Sequence, residues 1–306
     1  MKIITLTLNP AFDVHCSIDR FNVYHENVLK REAAEAGGKG VNVSRALSSC
    51  GVDNLAVVVV GKDNQAEFIE KLNADGLNFK YVSVPGRIRE NITVHEPYNP
   101  ETRISFEGFS CDKGVLTEVK EKIGEVDENT VITFTGSAPN GIDVSNIKDL
   151  LSELRKKGAK IVIDSRTFSL EDLIDFKPWL IKPNKDEAEK YTGKKISEIS
   201  DAKEIALDLK TKGIENVIIS LGELGAVLSC ADGEFYALPP KVDALSTIGA
   251  GDSTIAGFIS AYTDGKGSAE RLKTAVAFGT AACLREGTLP PDGKDVQKII
   301  KQIKVI

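Results

Sequence analysis

Short apolar runs rich in β-branched residues alternate along this chain with stretches in which apolar residues recur at helical spacing. The short runs predict β-strands at residues 3–8, 55–60, 131–134, 160–163, 180–181 and 217–220. The periodic stretches predict helices at 64–75, 143–157, 186–192, 202–212, 253–263, 269–285 and 296–303. Such alternation favours an α/β fold with a mostly parallel central sheet and helices on both of its faces. Ligands of such folds bind at the carboxyl ends of the strands.

Two segments, at about residues 11–35 and 87–109, break this alternation. They lack a strong helical period but contain extended pieces at 91–94 and 102–106, with Pro97 and Pro100 expected in the turn between them. We therefore expect a small β-flap that covers the ligand edge of the sheet as a lid. The chain has neither an internal repeat nor a linker rich in Pro, Gly and Ser, so residues 1–306 are predicted to form a single domain.

The composition is that of an ordinary globular chain, with 306 residues, 42% hydrophobic and 27% charged, and a net charge of -6. An acidic chain has no overall basic surface for nucleic acid or for an anionic membrane, so we expect a small-molecule partner. The 5 cysteines and 3 histidines are scattered without a C-x-x-C pair, which argues against a zinc site or a disulfide framework. The sequence shows no signal-like or membrane-spanning apolar run, and we expect a cytoplasmic location.

A glycine-rich tetrapeptide in the last quarter of the chain carries the clearest chemical signal. Gly249, Ala250 and Gly251 precede Asp252, and apolar residues at helical spacing start at Ile255, so the glycines lie where a helix begins. Free backbone N–H groups and the helix dipole make such an end an anion site, and an adjacent carboxylate can accept a proton from a hydroxyl. This combination suits phosphoryl transfer. The alternative is a tight strand-to-helix turn in which Asp252 is only a favourable acidic residue.

A second glycine cluster, at residues 37–40, opens another helix that runs toward Gly51. It is not an ATP-binding P-loop, which needs a glycine at position 33 and a Ser or Thr at position 40; these positions hold alanine and glycine. One interpretation is a platform on which glycines admit a sugar ring and Lys39 and Asn42 donate hydrogen bonds. The other is a helix-entry turn with a solvated lysine.

Together the two clusters resemble the signatures of the PfkB family of carbohydrate kinases, which have the ribokinase-like fold. The first signature is matched by residues 37–44 and the second by residues 246–252 with 256–258, and the correspondence runs from 7–13 to 286–288. The resemblance implies that Gly249, Ala250 and Gly251 form an anion hole for the migrating phosphoryl group, with Asp252 as the base. It also implies that the sugar is held by Asp13, Gly37, Gly38, Lys39, Asn42 and Ser137.

The resemblance further implies ATP and Mg²⁺ as cofactors. Mg²⁺ would be bound by Glu187 and Asn184, generally through water, because this hard cation retains much of its hydration. The alternative for Glu187 is a solvated surface carboxylate. The segment with Asp164 and Arg166 lacks a glycine common in the family, which leaves the roles of these two residues open. The implied nucleotide-binding residues, for which a turn and a packed helix are the alternative, are Lys182, Asn184, Ser220, Gly222, Gly225, Ala275, Phe278 and Gly279.

Basic residues on the predicted flap indicate that the sugar already carries a phosphate, because arginine forks suit phosphate oxygens. Arg89 and Asn91 also match the pattern of the subgroup that contains 1-phosphofructokinases and tagatose-6-phosphate kinases. We therefore predict phosphorylation of fructose 1-phosphate at O6, which gives fructose 1,6-bisphosphate; tagatose 6-phosphate, phosphorylated at O1, is the alternative. The alternative for the basic residues is a set of solvated lid charges. The basic residues of the flap are Lys30, Arg31, Arg87, Arg89 and Arg103.

Two other functions, a sugar-phosphate sensor and a nucleoside kinase, are compatible with the same fold. A non-catalytic sensor of sugar phosphates would keep the fold, but retention of Asp252, the glycines before it and Glu187 argues against it. A nucleoside kinase is disfavoured by the arginines of the lid. The extended segments of the flap leave unpaired strand edges, so we expect a homodimer that shares its lid.

Overall fold

The computed structural model describes residues 1–97 and 99–306 and contains a large and a small β-sheet. The strands are β1 (Lys2–Thr7), β2 (Ala11–Ser17), β3 (Lys30–Gly37), β4 (Leu55–Gly61), β5 (Phe79–Val84), β6 (Arg89–Glu96), β7 (Asn99–Ser105), β8 (Thr130–Thr135), β9 (Lys160–Asp164), β10 (Leu180–Ile181), β11 (Asn216–Ser220), β12 (Ala226–Cys230), β13 (Gly233–Leu238) and β14 (Lys304–Val305). The helices are α1 (Lys39–Ser49), α2 (Gln65–Ala74), α3 (Val115–Ile123), α4 (Val144–Lys156), α5 (Leu170–Phe176), α6 (Lys185–Thr192), α7 (Ile199–Thr211), α8 (Ala250–Thr263), α9 (Ser268–Ala282) and α10 (Gly293–Ile300).

The large sheet has 10 strands in the order β14-β13-β12-β11-β10-β9-β8-β1-β4-β5. From β11 to β5 all neighbouring strands run parallel, whereas β12, β13 and β14 extend the sheet in antiparallel pairs. The predicted α/β fold with a mostly parallel sheet is therefore confirmed. Strand β5, the antiparallel extension and the helices α3 and α5 are additions that the hydrophobic pattern does not predict.

Helices cover both faces of the large sheet, so the core consists of two apolar layers. Residues of α2, α3, α4, α5 and α7 pack in one layer and residues of α1, α8, α9 and α10 in the other. Successive residues of β1 serve both, since Ile3 belongs to one layer and Ile4 to the other. A parallel sheet that is buried on both faces has apolar strands throughout, which is why the short runs are visible in the sequence. No helix within the described ranges is long and apolar enough to cross a bilayer.

The small sheet has 4 strands in the order β3-β2-β6-β7 and consists of the two segments predicted as a flap. Strand β2 pairs parallel with β6 and places Asp13 beside Asn91, and on its other side it pairs antiparallel with β3 and places Asp13 beside Glu35. One detail of the prediction is wrong, because Pro100 lies within β7 rather than in the turn before it. An edge strand tolerates proline because its outer N–H groups have no ladder partner. This small sheet is called the flap below.

Candidate active site

The first turn of α8 is shaped as an anion site. Gly249 precedes the helix with a φ of 79°, a left-handed conformation that favours glycine, and a Cβ added to it would meet nothing within 4 Å. Among the described residues, the backbone N–H groups of Gly251 and Asp252 have no hydrogen-bond acceptor. These unpaired N–H groups and the positive end of the helix dipole together attract a negatively charged group.

The carboxylate of Asp252 lies directly beside this helix end. Its residue is only 6% exposed, and its Oδ2 accepts a hydrogen bond of 3.0 Å from Nδ2 of Asn42 on α1. Burial raises the pKa of Asp252 to about 6, although Lys39 and Asn42 oppose the shift. A carboxylate with a pKa near neutrality accepts a proton more readily than an ordinary aspartate and is still ionised at pH 7.

Two lysines lie next to the same helix end. Nζ of Lys39 donates to Oδ2 of Asp164 at 2.8 Å, so Lys39 is ion-paired rather than only solvated. Burial alone would lower the pKa of Lys39, but the carboxylates of Asp164 and Asp252 raise it, and Lys39 is a cation at any working pH. Nζ of Lys182, a residue only 4% exposed, lies 3.1 Å from the position of a Cβ on Gly251.

Asp164 is the counter-ion of these lysines. Burial would raise the pKa of its carboxyl, but Lys182 and Lys39 outweigh the burial and lower it. The site therefore contains one carboxylate that is firmly ionised, Asp164, and one with a raised pKa, Asp252. Such separation of two neighbouring carboxyls is typical of acid–base sites.

A second polar cluster lies on the flap around Asp13. Oδ1 of Asp13 accepts a hydrogen bond of 2.9 Å from Nδ2 of Asn91 and lies 3.6 Å from the Arg103 guanidinium. Burial raises the pKa of Asp13 even though Asn91 and Arg103 act in the opposite direction. At Gly37, a Cβ would lie 2.1 Å from Oδ2 of Asp13, so a side chain at position 37 would displace this carboxylate.

Arg89 borders a cavity of about 350 Å³ at the edge of the flap. Its guanidinium donates to Oδ1 of Asn91 at 3.2 Å and to the carbonyl oxygen of Phe106 at 3.4 Å, while its buried Nε has no hydrogen-bond partner in the described part of the chain. Arg87 also lines this cavity, whereas Lys30 is exposed and pairs with Glu32. The cavity is thus lined by two arginines and also by Glu90 and Glu107.

The α1 helix connects the two clusters. Just before α1, Gly37 lies against Asp13. Lys39, the first residue of α1, donates to Asp164, and Asn42 in the next turn donates to Asp252. Gly38 is the residue before the helix and has a φ of 110°. The predicted sugar-binding and transfer residues are therefore brought to one region, at the carboxyl ends of the central strands.

Ser137 follows the carboxyl end of β8 in the same region. Its Oγ accepts a hydrogen bond of 3.2 Å from Nδ2 of Asn9, and the preceding Gly136 lies against the side chain of Lys39. Asn9 was not among the predicted site residues, and its buried Oδ1 has no partner within the residues described.

The residues proposed for Mg²⁺ form the N-terminal cap of α6. Oδ1 of Asn184 accepts from the N–H of Glu187 at 2.8 Å, and Oε2 of Glu187 accepts from the N–H of Asn184 at 3.1 Å. The other oxygen of Glu187 lies 3.8 Å from Nε of Arg166. Glu187 is therefore fixed by the cap and lies beside Arg166 rather than being freely solvated. The ranges described contain no cluster of three or more His, Cys, Asp or Glu side chains that could bind a metal directly.

The predicted nucleotide residues fall into two groups. Ser220 ends β11 and forms a backbone bridge with Asn184, so the turn at Gly222 and Gly225 lies next to the start of α6. Ala275, Phe278 and Gly279 lie on α9, where the first two are buried against Gly257 of α8. Their contact with an adenine ring stays a prediction.

The chain was compared with known proteins, and it matches the description "pfkB family carbohydrate kinase" over residues 12–294. It belongs to this family. A 1-phosphofructokinase of Escherichia coli is 33% identical over 285 residues and covers 92% of this chain and 90% of that protein. A 1-phosphofructokinase of Vibrio cholerae is 29% identical over 305 residues and covers 99% of this chain and 96% of that protein. The crystal structure of phosphofructokinase-2 from Escherichia coli in complex with substrates and products has a TM-score of 0.90 at 26% identity and covers 99% of both chains.

Membership of the pfkB family confirms the predicted family, the ribokinase-like fold and a kinase that acts on carbohydrates, and it implies ATP as the phosphate donor. The roles of individual residues stay predictions. Sequence reasoning left Asp164 without a role and placed Lys182 only near the nucleotide, whereas both lie beside the first turn of α8. The available signal was their position, since Asp164 ends β9 and Lys182 follows β10, where ligands of parallel sheets bind.

Proposed function

We propose that this chain is an ATP-dependent 1-phosphofructokinase, which phosphorylates fructose 1-phosphate at O6 to give fructose 1,6-bisphosphate. The observation that carries the proposal is the buried Asp252, with its raised pKa, beside the unpaired N–H groups of α8. The names of the relatives from Escherichia coli and Vibrio cholerae support the choice of substrate.

In the proposed complex, the flap binds the sugar and its phosphate. Asp13 and Asn91, already hydrogen-bonded to each other, accept from and donate to sugar hydroxyls together with Asn42. Arg89 and Arg103 bind the phosphate that the sugar carries, because guanidinium groups present paired N–H donors to phosphate oxygens. Gly37 lets the Asp13 carboxylate keep the position in which it binds the sugar, because a Cβ at position 37 would displace it.

For the transfer itself, Asp252 takes the proton of the O6 hydroxyl while O6 attacks the γ-phosphorus of ATP and the bond to the ADP oxygen breaks. The N–H groups of Gly251 and Asp252 stabilise charge on the equatorial oxygens, aided by Lys39 and Lys182. Asn42 holds the Asp252 carboxylate in the orientation required for proton transfer. Closing the flap over the sugar excludes water, so the γ-phosphoryl passes to the sugar rather than to solvent.

Glu187 and Asn184 would hold Mg²⁺ through water, and the cation would neutralise charge on the ATP phosphates. The oxygen of Glu187 outside the α6 cap lies 3.8 Å from the exposed Arg166 and would have to turn from it toward the hydrated cation, and the position of Glu187 beside the turn at Gly222 fits this role. We place the ATP phosphates between that turn and the start of α8.

We further propose that residues 1–306 act as one kinase domain with the flap as its lid, and that two copies pair through the flap. Strands β3 and β7 are the edges of the flap sheet, and several apolar side chains on or near it are exposed: Val23, Tyr24, Val28, Ile104 and Phe106. A solvent-exposed strand edge bordered by apolar side chains favours pairing with a second chain. Sedimentation velocity at assay concentrations measures the outcome, and a monomer would exclude the shared lid.

The substrate proposal is tested by measuring ADP release with a panel of free and phosphorylated sugars. The expected result is the highest kcat/KM with fructose 1-phosphate and a product that fructose-bisphosphate aldolase cleaves. Tagatose 6-phosphate is the main competitor, because a ketohexofuranose has a CH₂–O arm on each side of its ring and one basic pocket can bind a phosphate on either arm. Tight binding of a sugar phosphate without turnover of any member of the panel would instead indicate a sensor.

A further inference from the structure

Arg45 is a buried cation on α1 that lies outside the site described above. It is only 4% exposed, and its guanidinium contacts groups from three distant parts of the chain. One NH group lies 3.5 Å from Oε2 of Glu35 and donates at 3.4 Å to the carbonyl oxygen of Thr288, while Nε lies 3.0 Å from Oδ2 of Asp75. The contact of Nε with Asp75 is at ion-pair distance but lacks hydrogen-bond geometry.

The three partners belong to different structural units. Glu35 lies on β3 of the flap, Asp75 follows α2, and Thr288 follows α9. The hydroxyl of Thr288 also donates to Glu35, so the flap contact is made by both Arg45 and Thr288. The guanidinium thereby joins the flap to α1 and to the segment after α9.

Both ends of the candidate site depend on the elements that Arg45 joins. Helix α1 carries Asn42, which holds Asp252, three residues before Arg45. Strand β3 carries Glu35, whose register partner across to β2 is Asp13, and it ends at Gly37 against the same carboxylate. The orientation of β3 relative to α1 therefore sets the distance between the groups that hold the acceptor and the group that takes its proton.

We propose that Arg45 is a positioning residue that sets this distance through Glu35. The predicted change in the KM for the sugar phosphate rests on the proposed function, whereas the predicted change in the structure of the flap rests only on the contacts of Arg45. A buried guanidinium between two carboxylates is costly to break from one side, because the remaining charges lose their partner in a region of low solvent access. Arg45 thus holds the flap in register with α1 before any ligand binds.

The test compares two carboxylates that face the same guanidinium, only one of which lies on the flap. Glu35→Gln and Arg45→Met are expected to raise the KM for the sugar phosphate about tenfold, equivalent to roughly 1.4 kcal/mol of lost positioning, with the KM for ATP changed by less than about twofold. Arg45→Lys keeps the charge and is expected to restore most of the affinity. Asp75→Asn, the matched control, is expected to leave the KM for the sugar phosphate unchanged, because Asp75 follows α2 outside the flap and its loss leaves the contact between Arg45 and Glu35 in place.

Hydrogen exchange of the ligand-free protein provides a readout that is independent of the substrate. Glu35→Gln and Arg45→Met are expected to speed exchange in β2 and β3, and Asp75→Asn is expected to leave it as in the parent protein. Equal effects of Glu35→Gln and Asp75→Asn on KM and on exchange in the flap would overturn the proposal, as would a lowered melting temperature with neither quantity changed. If the parent protein turns over no sugar phosphate, the proposed function fails, and the exchange experiment still decides the role of Arg45.

Discussion

Replacing Asp252 with asparagine removes the proposed general base and its buried negative charge but keeps the shape of the side chain. The amide oxygen of the D252N variant can still accept the hydrogen bond from Asn42, so the local structure is expected to persist. Loss of the general base is expected to lower kcat about 10²–10⁴-fold, while ATP binding is retained. The parent enzyme is expected to lose activity as the pH falls below about 6, the pKa of Asp252, because the protonated carboxyl cannot accept a proton.

The same substitution is expected to stabilise the protein. Burial raises the pKa of Asp252 from its ordinary value of 3.8 to about 6, so the folded state binds this proton more tightly than the unfolded state. Ionised Asp252 therefore destabilises the fold above pH 6, and this destabilisation disappears as the pH falls below 3.8. At about 1.4 kcal/mol per pKa unit, the D252N variant should gain up to roughly 3 kcal/mol of unfolding free energy at pH 8.

Two measurements check these expectations. ADP release is followed by a discontinuous assay from pH 5 to 9, since coupling enzymes have pH limits of their own, and unfolding is followed by urea titration at pH 8 and pH 4. A variant with kcat within about tenfold of the parent enzyme would refute the role of Asp252 as general base. A variant that is less stable than the parent protein at pH 8 would refute the argument from burial.

Three further substitutions test other parts of the site. Asn42→Leu removes a hydrogen bond that lowers the pKa of Asp252, so the acidic limb of the plot of kcat/KM against pH should move to higher pH. An acidic limb that stays in place would show that Asn42 does not affect this pKa. Arg89→Ala should raise the KM for the sugar phosphate by about tenfold or more with little change in the KM for ATP, and an unaltered KM would remove Arg89 from the site. Gly37→Ala places a Cβ where a carboxylate oxygen already lies and should weaken sugar-phosphate binding, measured by calorimetry, whereas Gly267→Ala, with open space around its Cβ, is the matched control and should bind as the parent does.

The strands of the large sheet could be predicted because burial on both faces makes each of them a continuous apolar run, as in β4. The helices α3 and α5 were not predicted, although α6 and α10, which are of similar length, were. The hairpin of β12 and β13 was also missed, although its two-residue connection is a local feature that allows only antiparallel pairing.

In the site, the sequence was sufficient to predict a feature formed by one continuous segment, as for the glycines and Asp252 at the first turn of α8. They were insufficient where the feature is a contact between distant segments. Asn42 and Asp252 are 210 positions apart, and Lys39 and Asp164 are 125 apart, so neither pair can be inferred from spacing. The raised pKa of Asp252 belongs to the same class, because it depends on burial by several elements at once.

In the proposed complex the flap binds much of the acceptor, whereas the first turn of α8, beside the large sheet, binds the phosphoryl group. Side chains of β6 and β7, such as Asn91 and Arg103, can therefore change in the course of evolution without disturbing the first turn of α8. Retargeting the enzyme to another sugar would then begin with replacements on one face of the small sheet, while Lys39 and Asn42 on α1 are kept. A library confined to that face is the natural starting point for engineering a new acceptor preference.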